Sequence, residues 1–151
     1  MRIRGGLAAA VIACLCAVLL FAPTAEARKI HYKGQSSQGK KVGLATNARG
    51  RAQFFAIHFD ARCRHSKISG GIQKFVPRFR KADFRSFTDG GTLRHHYEES
   101  DTVGKVRTHV HGKRVGHDRF RGTFTYKVSF FDHGEQFNSC RTRTIRWSVH
   151  R

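Results

Sequence analysis

Between Arg119 and Phe131 the chain alternates: Phe120, Phe124, Tyr126, Val128 and Phe130 share one parity, while Thr123, Thr125, Lys127 and Ser129 take the other. A period of two puts each set on its own face of an extended strand, whereas an amphipathic helix needs apolar residues three and four apart. The segment therefore reads as a half-buried strand with one face in a core. Its backbone donors and acceptors then need neighbouring strands to pair with.

The same period recurs along the chain. Gln53 to Cys63 places Phe55, Ile57, Phe59, Ala61 and Cys63 on one face and His58, Asp60 and Arg62 on the other. Val106, Thr108 and Val110 form a weaker inward set, and Gly116, His117 and Asp118 read as the turn of a hairpin leading into Arg119. Val115 falls out of phase with Val110, so a bulge near Gly112 is expected to repair the register. Lys41 to Thr46, Gly71 to Phe75, Thr92 to Glu98 and Arg143 to His150 complete the set, the last with Ile145, Trp147 and Val149 inward. Seven or eight short strands separated by Gly-containing turns predict an all-β chain, a single antiparallel β-sandwich. Arg28 to Gln38 shows no such pattern and reads as loose. Pro77, inside Ile72 to Phe87, interrupts any helix there and favours an edge strand or an irregular crossing.

Ahead of this domain, residues 1–27 have the layout of a secretory signal peptide. Arg2 and Arg4 form a positive start, an apolar run extends from Leu7 to Ala22, and Ala25-Glu26-Ala27 is a small-x-small cleavage site. A membrane anchor is the competing reading, but the run is short for a span of about 20 residues and Pro23 follows it. A lipid-attachment box at Cys14 is a third, weakened by the apolar residues that continue after it. Cleavage after Ala27 leaves one secreted domain, residues 28–151, without a linker. It retains 27 Lys and Arg against 9 Asp and Glu, a net charge of +18 with His neutral. That balance does not specify a fold, but it attracts polyanions: wall polymers, anionic lipid surfaces, acidic polysaccharide or extracellular DNA.

Cleavage also removes Cys14 and Cys16, leaving Cys63 and Cys140. In an exported protein an even pair reads as one disulfide, with two free buried thiols as the alternative. The bridge would close a loop worth about 4 to 5 kcal/mol in chain entropy.

Three constellations carry candidate chemistry. His109 and His111, two apart on a strand, project to the same side and make a candidate zinc or copper site; the hairpin would face them with Thr125 and Thr123, which are not metal-ligand types. Phe75, Phe79, Phe84 and Phe87 interleave with Arg78, Arg80, Lys81 and Arg85, the mix that binds single-stranded nucleic acid by stacking and charge, although core Phe beside solvated cations would look the same. The broader set of polyanion contacts is Lys40, Lys41, Arg78, Arg80, Lys81, Arg143 and Arg146. No Gly-x-Ser-x-Gly, His-Glu-x-x-His or phosphate-binding Gly-rich loop occurs, and Glu98, Glu99 and Asp101 read as a solvated turn, so neither an enzyme nor a cofactor is expected. A structural module docking on a protein partner through a sheet edge is a further reading.

Several short motifs together have a familiar look: Tyr32 to Gly39 (YKGQSSQG), Cys63 closing a Phe-rich strand, Phe120 to Phe124 (FRGTF), and Cys140 followed by Trp147 and Val149. In these the chain resembles a group of small exported proteins of actinomycete-type bacteria. The resemblance implies a secreted β-sandwich whose Cys pair ties an early-middle strand to the last one. It implies no reaction and no catalytic residues.

Overall fold

The computed structural model describes residues 28–65, 69–75, 81–97 and 101–151. Among them there is no helix. The strands are β1 (Ile30–Ser36), β2 (Lys41–Thr46), β3 (Ala52–Cys63), β4 (Ser69–Phe75), β5 (Lys81–Ala82), β6 (Ser86–His96), β7 (Val103–Arg114), β8 (Arg119–Asp132), β9 (Glu135–Arg141) and β10 (Ile145–His150). The all-β, antiparallel class read from the alternation is what the chain adopts. The strands form one continuous hydrogen-bonded sheet, in the order β10-β1-β2-β3-β9-β8-β7-β6-β5, with β4 added on β3.

A further pairing of β10 with β8 closes β10, β1, β2, β3, β9 and β8 into a circuit. Closure depends on two long strands that each serve two neighbours. One edge of β8 carries β7 along its whole length; the other carries β10 up to Phe124 and β9 from Lys127 onward. Likewise β3 meets β2 through its first half and β9 at Arg62 and Cys63. The sheet folds over itself because the inward sets have to bury one another. Tyr32 lies edge-on to Phe120 at 5.1 Å, Phe59 meets Phe124 at 5.1 Å and Tyr126 at 4.7 Å, and Phe55 meets Trp147 at 4.9 Å. Aromatic pairs at such separations add to the stabilisation from area burial alone.

The structure corrects four sequence expectations. Arg28 to Gln38 is not loose: Ile30 to Ser36 form β1, between β2 and β10. Its pattern is hidden because two of its inward positions are Gly34 and Ser36, leaving Tyr32 as its one bulky, buried side chain. No bulge occurs near Gly112: β7 and β8 pair without a register shift from Val103 to Arg114, and Val115 is exposed in the turn. Gly112 pairs with Gly122, and together they leave a bare floor for Phe87 and Trp147, whose rings an added Cβ would strike. Cys63 and Cys140 are disulfide-bonded, but the bridge reaches the last strand but one, since Thr142 to Thr144 separate β9 from β10. Finally, β7 and β8 are 12 and 14 residues long, not short. Within Ile72 to Phe87 the chain completes β4, makes the two-residue β5 and starts β6; residues 76–80 lie outside the described residues, as do residues 1–27 and their signal-peptide pattern.

Candidate anion-binding cleft

Where β9 breaks before β10, the circuit leaves an open cleft of about 1110 Å³. Four stretches frame it: the β1–β2 turn at Ser37 and Gln38, the end of β3 from Asp60 to Arg64, Thr125 and Lys127 of β8, and the β9–β10 link from Arg141 to Thr144. Side chains stand in for missing strand partners around its rim. The Gln38 amide donates to the Asp60 carbonyl at 2.8 Å and accepts the Asp60 N–H at 2.9 Å, imitating a strand residue. The Tyr126 N–H donates to Thr142 Oγ1 at 3.0 Å, and the Thr142 N–H donates to the Tyr126 carbonyl at 2.9 Å. Ser37 ties the turn to β10: its N–H donates to the Arg146 carbonyl at 2.7 Å, and its hydroxyl accepts the Arg146 N–H at 3.2 Å. With the rim so satisfied, the cationic side chains are not needed as structural donors.

Five cations line the cleft: Arg62, Arg64, Lys127, Arg141 and Arg143. The one carboxylate among the described residues that line it, Asp60, is already engaged by Lys40, whose Nζ lies 3.0 Å from Oδ2. None of the five has an ion-pair partner among the described residues. Hydroxyl groups of Ser37, Thr125, Ser139, Thr142 and Thr144 supply further donors between them.

Register explains how the cations gather. Cys63 pairs with Cys140 in antiparallel strands, which sets Arg62 directly opposite Arg141; Arg141 is opposite Lys127, and Lys127 is opposite Arg107 on β7. Opposed residues in such a ladder share a face, with Cβ atoms about 4.5–5.5 Å apart, and like charges placed so are destabilising. Four exposed cations thus stand in one row across β3, β9, β8 and β7. Elsewhere on the described outer face, runs of opposed Lys and Arg stop at two, as in Arg121–Lys113 and Lys105–Arg94.

The contacts proposed from sequence divide. Arg143 lines the cleft, Lys40 flanks it through Asp60, and Arg146 reaches its rim through Ser37. Lys41 lies apart, opposite Gln35. Lys81 begins β5, opposite Thr88, while Arg78 and Arg80 lie outside the described residues. Of the interleaved Phe, Phe87 is core at 1% exposure, whereas Phe84 is 52% exposed beneath the Arg85 guanidinium, 5.3 Å from its centroid. His109 and His111 do share the outer face, opposite Thr125 and Thr123 as the hairpin required, and His111 Nδ1 lies 3.2 Å from Thr88 Oγ1. Among the described residues no group of three or more His, Cys, Asp or Glu could hold a metal ion.

Neither a family model, nor a curated protein, nor a solved structure matches this chain. The cleft is therefore read from its own chemistry. Arg62, Arg64, Lys127 and Arg141 do not stand out as a site along the sequence, because they come from separate strands and the links after them. The signal that could have found them is the Cys pair: a bridge between antiparallel strands puts the residue before one Cys opposite the residue after the other.

Proposed function

We propose that the protein is an exported, non-enzymatic β-domain that binds anionic polymers of the cell envelope or its surroundings, such as wall polymer, acidic polysaccharide or extracellular DNA. The observation that carries this reading is the cleft where, among the described residues, five cations without an ion-pair partner stand beside a single, already neutralised carboxylate. Export rests on the signal-peptide pattern of residues 1–27 and is consistent with the Cys63–Cys140 disulfide, a bond that persists in oxidising compartments. No helix among the described residues is long and apolar enough to cross a membrane.

Polyanion binding releases counterions, so its affinity falls with salt in proportion to the phosphates or other anions neutralised. With four contacts on a single-stranded polyanion, raising salt from about 50 to about 200 mM should weaken binding about 50-fold. Fluorescence titration of a labelled polyanion across that range tests the reading; no binding at the low-salt end defeats it.

A further inference from the structure

The geometry points to a linear phosphate polymer without stacking bases as the ligand of this cleft, laid across the strands along Arg62, Arg141, Lys127 and Arg107. This rests on the polyanion-binding reading and gives it a site and a ligand chemistry. The first support is the shape of the charge. Neighbouring strands lie about 4.8 Å apart, so four successive strands carry the row over about 14 Å. A lone phosphate could meet two of these side chains and would leave the others repelling one another; a chain of anions meets all four.

The second support is direction. Arg62, Arg141 and Lys127 lie within the cleft, while Arg107 continues the row beyond it on the open sheet face. The site therefore has an exit, as a polymer requires.

The third is donor chemistry. Three of the four cations are Arg, whose planar fork fits two oxygens of one phosphoryl group, and Thr and Ser hydroxyls line the same cleft. Among the described residues no aromatic side chain lines the cleft, so these residues offer no platform for the base stacking that holds single-stranded nucleic acid. What remains to be read is the phosphate backbone itself.

The test uses the disulfide-bonded protein at about 50 mM salt, where such contacts are strongest. The probes are pyrophosphate, a linear polyphosphate of eight phosphates, an oligothymidylate with the same number of phosphates, and an acidic oligosaccharide of matched charge. The eight-phosphate chain should bind at least tenfold more tightly than pyrophosphate and no more weakly than either of the other polymers. Arg141→Glu should weaken that chain about tenfold. Arg107→Glu, on the open face where folding is least at risk, should weaken the long chain but not pyrophosphate. Arg51→Glu, at an exposed turn, should change either by less than twofold.

Equal affinity for pyrophosphate and the long chain would overturn the proposal in favour of a point-anion site. Tighter binding of the thymidylate or the oligosaccharide would overturn it in favour of that class. Equal losses from Arg141→Glu and Arg51→Glu would remove the cleft but leave diffuse polyanion binding standing. Absence of binding to all four probes would remove both.

Discussion

Gly112 and Gly122 face each other across β7 and β8, and Phe87 and Trp147 pack over the space they leave. Their use is close approach. A methyl group at 112 would collide with the Phe87 ring and come within 2.8 Å of the Trp147 indole, in a region where Phe87 and Trp147 are almost fully buried. Gly112→Ala should therefore cost about 1–3 kcal/mol by overpacking, read as a lower urea midpoint with an unchanged slope. Tyr126 offers a pH-dependent test. Burial, and then the neighbouring Tyr97, raise its phenol above the ordinary value of 10.0. The unfolded chain thus ionises first, so this group's contribution is intact below pH 10 and is lost as pH climbs through the folded value. Tyr126→Phe should flatten the fall in stability above that pH, measured by denaturation at stepped alkaline pH against the parent protein.

The strand β10 shows why the Arg-rich end of the chain is not a tail. Ile145, Trp147 and Val149 are buried, while Arg146, Ser148 and His150 are exposed between them. Its two edges close the circuit between β1 and β8. Truncation after Ser139 removes Cys140, the disulfide and all three core side chains at once. Each large apolar side chain is worth about 1.5–3 kcal/mol and the bridge several more, against a total of about 5–15 kcal/mol for a domain. The truncated chain should fail to fold, seen as loss of the dispersed amide proton spectrum. A folded truncation would contradict the role assigned to β10.

For the whole molecule, charge and compartment are the linked questions. Export predicts a mature chain that begins at Arg28, and mass spectrometry of protein recovered from outside the producing cells should find that terminus; retention of residues 1–27 would count against it. Much of the architecture is legible in the amino-acid pattern alone. Phe120 to Phe130 and Gln53 to Cys63 announce strands with one buried face, though not their length, and Cys63 and Cys140 announce their bridge. β1 is not legible, because Gly34 sits where an added Cβ would strike Ser148 and Val149 of β10, a contact with a distant segment near the C-terminus that no local pattern encodes. Of the cleft, Arg143 is legible as part of a cationic run near the C-terminus; Arg62, Lys127 and Arg141 are scattered charges until register brings them together.

By itself, then, the sequence determined the strands with strong alternation, the Cys pair and a strongly basic exterior. All three are local or additive properties: a period of two, an even count of thiols, a sum of charges. The tertiary structure decided which cations meet. Opposition of Arg62, Arg141, Lys127 and Arg107 depends on the register of β3, β9, β8 and β7, and register is set by the burial of aromatic faces drawn from distant parts of the chain. A one-residue slip would turn the cations inward and the core outward, so the same packing that holds the fold together places the cationic row on its surface.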